Sequence, residues 1–288
     1  VSAAGPVLLV ALVAGLYLAG LRTLRRRGRP WDHRRTAAFV AGCATLLVAL
    51  ASPLAARDDE FPVHMAQHLL SGMLAPALLA LSAPVSLALR TAPRPLRARL
   101  LVLLRSRVVS LLTRPVVAGT LNVGGLWALY LTPLYAATLE HPLLHEAVHV
   151  HVVLAGCLLA WPLISPDPVL ARGAFTTRLA VLVVTAGLHA ALAKLVYAGH
   201  LGGGLGATMA ADELHTGALV MAYGGDAVDV LLLVALFSRW HADRGRAWAR
   251  EQRQAAMVAG AHDSALSTSG RVHPNAIDHR RSPASARG

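Results

Sequence analysis

The sequence predicts an all-α fold: a polytopic integral membrane bundle of about seven transmembrane helices, with its N-terminus outside and its C-terminus in the cytoplasm. Three observations predict it. Of 288 residues, 55% are apolar and only 15% are Asp, Glu, Lys or Arg, where an ordinary soluble domain carries about 25% charge. The apolar residues gather in runs of the ~20 residues a helix needs to cross a bilayer, giving a mean hydropathy of +0.53. The basic residues fall between and after those runs.

Taken in order, residues 1–21, 36–56, 61–89, 115–139 and 147–166 are apolar runs of about the required length. Two more, about 178–199 and 213–240, are as long but hold a few ionisable groups. No basic segment precedes the first run, so it reads as a retained helix and not as a signal peptide. The connection after the first run carries seven arginines, Arg22 to Arg35, and the one after the third carries another seven, Arg90 to Arg114. With Arg172, Arg178 and nine arginines beyond Ser238, 25 of the 27 basic residues lie on one face of the membrane. The opposite face holds Arg57 followed by Asp58, Asp59 and Glu60. Basic connections stay in the cytoplasm, which fixes the expected orientation.

Residues 96–112, where Leu alternates with Arg, read as a short helix on the inner leaflet. The expected domains are a transmembrane domain, 1–240, and a basic cytoplasmic tail, 241–288, starting as a helical extension and largely disordered beyond it. The net charge of +12 is accounted for by these loops and calls for no nucleic acid. Cys43 and Cys157 both lie in apolar runs, which excludes a disulfide framework and a CxxC metal site. The preference for Arg over Lys and the wealth of Ala point to a bacterial source, hence to a multi-pass protein of the inner (plasma) membrane.

The histidines carry the functional signal. On this topology His64, His68, His141, His145, His149, His151, His189, His200 and His215 all fall in outer loops or outer halves of helices. His64 and His68 open the third helix four residues apart, and His145 and His149 open the fifth with the same spacing. That spacing aims each pair along one helix face. His215 opens the seventh helix beside Asp212 and Glu213, and Met65, Met209 and Met73 stand near these helix starts. Imidazole with thioether is a ligand set for copper, and imidazole alone also serves zinc. Interfacial histidines that only cap or cross-link helices are the plainer alternative for any one of them.

Residues 145–149 also spell H-E-x-x-H, in which two histidines bind zinc and the glutamate is a general base. An apolar span follows it instead of a hydrated cleft, so a zinc-dependent membrane protease using His145, Glu146 and His149 is an alternative and not the main reading. Asp226 and Asp229 sit half-way along the seventh helix, where each costs ~2.5–3.5 kcal/mol on insertion scales. They read as inward-facing packing contacts, to Asn122 or Tyr223, or as part of a copper or proton pathway. Gly224 and Gly225 before them permit a kink or close packing. Haem would need histidine pairs within the bundle, and only His189 is clearly deep.

Three blocks resemble a known family. HMAQHLLSGMLAPALLALSAPVSLALR (64–90), LYLTPLYAATLEHPLLHEAVHVHVVLAGCLLAWPLISPDP (129–168) and ADELHTGALVMAYGGDAVDV (211–230) are similar to the CtaG family of cytochrome c oxidase assembly proteins, the seven-helix membrane type. The chain departs from that pattern at Val148, at Ala222 and in the Gly-rich connection 200–207. The resemblance points to His64, His68, His145 and His149, with Asp212, Met221 and Asp226 as secondary positions. It implies a membrane factor, not itself an enzyme, that assists assembly of a haem–copper oxidase, with oxidase subunits as partners and copper as the metal delivered.

Overall fold

The computed structural model describes residues 4–57, 59–167 and 173–269; side chains are described for these except 205 and 258–269. The described residues are helical throughout their regular elements. In chain order these are α1 (Ala4–Arg26), α2 (His33–Ala51), α3 (Phe61–Leu69), a π-turn (Leu70–Leu74), α4 (Ala75–Leu81), α5 (Pro84–Thr91), α6 (Arg94–Leu104), α7 (Arg107–Leu112) and α8 (Pro115–Leu131). There follow α9 (Leu134–Glu140), α10 (Pro142–Ile164), α11 (Phe175–Tyr197), α12 (Leu205–Thr208) and α13 (Ala211–Ser269). The chain divides into two compact units, Val1–Arg239 and Trp240–Gly288.

Among the described residues five helices, α1, α2, α10, α11 and α13, are long and apolar enough to cross a membrane. Two of the expected long runs are interrupted. The third, 61–89, bends by 42° between α4 and α5, and counts as a sixth span only if the bent pair is one. Pro84 disfavours helical backbone at Ala83, which adopts the left-handed conformation (φ 54°). The fourth, 115–139, stops at Leu131, leaving α8 as a 17-residue apolar helix. Pro133 then starts the short α9, where the Thr132 hydroxyl accepts from the Leu134 amide. The segment 96–112 likewise forms two helices instead of one. Ser106 interrupts it and caps α7 by accepting from Val109 N–H, the ordinary role of an N-cap serine.

Among the described residues three apolar clusters hold Val1–Arg239 together. One joins α1, α2 and α5 through Tyr17, Leu24, Phe39 and Leu87, with Tyr17 stacked on Phe39 at 3.8 Å. Another joins α4, α10, α11 and α13 through Ala80, Leu163, Leu182 and Leu236. The remaining cluster joins α3, α8, α9, α11 and α13 through Phe61, Tyr130, Tyr135, Leu192 and Met221. Large apolar side chains also face outward, among them Leu8, Leu9, Leu12 and Leu16 of α1. In a bundle with several spans such faces are met by lipid. Within Trp240–Gly288 the helix is largely exposed over residues 241–257, with Arg246 donating to Asp243 and Arg244 lying over the Trp240 ring. The part of the tail from 270 onward, where disorder is expected, lies outside the described residues.

Candidate functional site

The first turns of α3, α10 and α13 meet at one end of the bundle. Glu213 of α13 accepts from the Phe61 amide at 3.0 Å, filling one of the open N–H positions at the start of α3. Gln67 donates to the Leu54 carbonyl at 2.8 Å and pins the preceding connection to the same helix. Glu60, the N-cap, is held below the usual carboxylate range by its hydrogen bonds from Arg57. On this frame His64 and His68 are each 6% exposed.

The His64 ring lies 5.0 Å from Tyr135 and 6.2 Å from Tyr130. It also meets His149 of α10 edge-on at 6.1 Å. His145 and His149, one turn apart, are 4.6 Å from each other. His68 packs against Tyr130 at 6.2 Å, the same ring that His64 meets. Four of the expected ligands are therefore gathered in one group, from two helices. Its aromatic wall, Tyr130 and Tyr135, was not singled out from sequence; the only signal is that both tyrosines flank the break at Thr132 and Pro133.

The other expected positions have different surroundings. Met65 and Met221 are fully buried in the Phe61–Tyr130 cluster, with Met209 packed on its edge. His215 stacks on Tyr197 at 4.2 Å. Glu146 is half-buried, while Asp212 is exposed. The two mid-helix carboxylates do not share an environment, contrary to the expectation that both face inward. Asp229 is half-buried beside Asn122, and Asp226 is exposed. Positions three apart on a helix differ by about 60° in direction, which is enough to place them across the edge of the contact.

Among the described residues no three His, Cys, Asp or Glu side chains form a ready metal cluster. The ring spacings nevertheless suit shared ligation. With metal–nitrogen bonds of about 2 Å and a ring nitrogen about 1 Å from its centre, two imidazoles on one ion have centres up to about 6 Å apart. The His145–His149 and His64–His149 separations, 4.6 and 6.1 Å, lie at or inside that limit. Among the described residues the Nε2 atom of His68 is buried with no hydrogen-bond partner, a donor position open to a ligand. The donor set therefore fits a soft or borderline ion held by two histidines.

The opposite end of α10 carries a polar centre absent from the sequence expectations. Asp167 is fully buried. Its Oδ1 accepts from the Ser86 amide at 2.7 Å and its Oδ2 from Trp161 Nε1 at 3.2 Å. It closes the start of α5, and nearby Tyr17 donates to the Ser82 carbonyl. The signal for it was the Asp between two prolines in residues 165–168.

A family model described as cytochrome c oxidase caa3 assembly factor (Caa3_CtaG) matches residues 15–243. Uncharacterized proteins of Mycobacterium bovis and Mycobacterium tuberculosis are each 32% identical, over 88% of this chain and 40% of the relative. One of Mycobacterium leprae is 30% identical, over 85% of this chain and 40% of the relative. The chain thus spans less than half the length of these curated relatives. No solved structure matches.

Proposed function

This chain belongs to the Caa3_CtaG family of cytochrome c oxidase assembly factors, and we propose that it assists that assembly by holding copper for transfer to the oxidase, acting as a carrier and not as an enzyme. The observation that carries the reading is the grouping of His64, His68, His145 and His149 from α3 and α10. In the proposed topology seven helices cross a bacterial plasma membrane, α8 and the bent α3–α5 segment included, with the N-terminus outside and the tail in the cytoplasm. The arginine distribution supports this orientation. In this orientation the histidine group lies toward the outer end of the bundle.

Copper is the cargo, and the chain's own residues do the rest. Two imidazoles on successive turns of α10 form a pincer whose spacing the helix sets. His64 adds a third from the facing helix, and Tyr130 and Tyr135 limit how far its ring can turn. A site that offers two or three neutral nitrogens leaves coordination positions open. An incoming ligand from the oxidase can enter before the old ones leave, so transfer runs by ligand exchange and the ion is never free.

The test is oxidase activity and the haem spectrum in membranes of a strain lacking the gene, with and without added copper. The expected result is loss of activity that copper partly restores. Unchanged activity would refute the assembly role for this chain, and loss that copper leaves untouched would refute the copper step.

A further inference from the structure

A second polar centre lies where α8, α10, α11, α13 and the π-turn meet. There Asn122, His189, Asp229 and Met73 line a cavity of about 20 Å³, room for one water-sized occupant. His189 is 4% exposed, and among the described residues its Nε2 has no hydrogen-bond partner; Oδ2 of Asp229 is also buried without one there. Two such groups on one small void are costly unless a common occupant satisfies them.

The walls are fixed. The His189 ring lies so close to Gly225 that no side chain fits there, and Gly156 is packed as tightly on the Gly72 carbonyl. The π-turn Leu70–Leu74 inserts an extra residue into the third helix at this level, a departure that recurs at functional sites, and puts Met73 in the wall. His64 and Met73 are nine residues apart, about 13 Å along a helix, and His68 lies between them in sequence.

We propose that His189, Asp229 and Met73, with the Asn122 carboxamide, form a second site for a single Cu(I) ion, a station further into the bundle than the histidine group. Imidazole and thioether are soft enough for that ion. Among the described residues Asp229 is the one carboxylate lining this cavity, so a monovalent ion leaves the site neutral, the least costly state among apolar helices. The space excludes a hydrated ion and any organic ligand. The inference rests on the copper reading above for the identity of the ion, and on the cavity alone for its place.

The experiment uses the full chain in nanodiscs, loaded anaerobically with Cu(I), stripped of excess with a cuprous chelator, and read by copper content and copper K-edge X-ray absorption. Wild type is expected to hold about two ions, with sulfur among the scatterers. Asp229→Asn and His189→Gln each remove about one ion and the sulfur signal, whereas His64→Ala with His149→Ala removes the other and keeps the sulfur. Asp229→Asn is near-isosteric, so its result stands if His189→Gln fails to fold. A single ion that persists in Asp229→Asn and disappears in the His64/His149 variant would overturn the inner site and leave the proposed function intact. An ion kept in the His64/His149 variant with sulfur, and lost in Asp229→Asn, would support the inner site and remove the outer one. No bound copper at all would overturn both, leaving water as the occupant of the cavity.

Discussion

The two ends of α10 each meet a polar centre, and the two centres are built on opposite terms. At the Asp167 end each carboxylate oxygen has a donor, one from the Ser86 amide and one from Trp161. At the histidine end His68 of the facing α3 is buried too, but among the described residues its Nε2 has no hydrogen-bond partner, and its ring packs on Tyr130. A satisfied buried group fastens helices together. An unsatisfied one costs ~1–3 kcal/mol and stays in a fold when something outside the chain completes it. The difference separates a structural centre from a functional one.

Four variants sharpen that contrast, from the largest expected effect to the smallest. His68→Leu should abolish oxidase maturation while leaving the melting temperature in detergent unchanged or higher, because an apolar side chain replaces an unpaired polar one. A fall in melting temperature with activity retained would reverse the assignment. Asp167→Ala should do the opposite. It strips the Ser86 amide and Trp161 of their acceptor, costs about 1–3 kcal/mol, and leaves copper per folded chain as in wild type. Copper loss in a folded Asp167→Ala protein would erase the distinction between the two ends.

Glu146→Gln comes next and separates carrier from protease. Glu146 is half-buried in the first turns of α10, and a general base there would be indispensable, whereas a carrier should complement the deletion at close to wild-type level. The smallest effect is expected from Arg57→Ala. Its pair with Glu60 is exposed and screened by solvent, so thermal melts of the two proteins should superimpose at neutral pH. Because Arg57 holds the Glu60 carboxyl below its usual range, whatever the pair contributes is present above the ordinary carboxylate pKa and is lost as pH falls through the lowered one.

Much of this was legible in the sequence because the signals are local. Apolar run length and arginine placement mark the helices, and the four-residue spacing of His64/His68 and His145/His149 shows that each pair shares a face. Pairing those faces across α3 and α10 needed the fold. So did the separate fates of Asp226 and Asp229, since a helix edge is defined by its neighbours. Interruptions were the weakest point. Pro84 and Pro133 stand inside apolar runs, and hydropathy alone does not register that proline restricts the residue before it. Asp167 was missed because a single acid in a connection resembles any solvated loop residue until Ser86 and Trp161 are placed against it.

The most direct test of the account is the copper content of the oxidase purified from cells whose only copy of this protein carries His64→Ala and His149→Ala. The account predicts oxidase polypeptides that are present but short of copper, with wild type restoring the full complement. A fully metallated, active oxidase from those cells would contradict it.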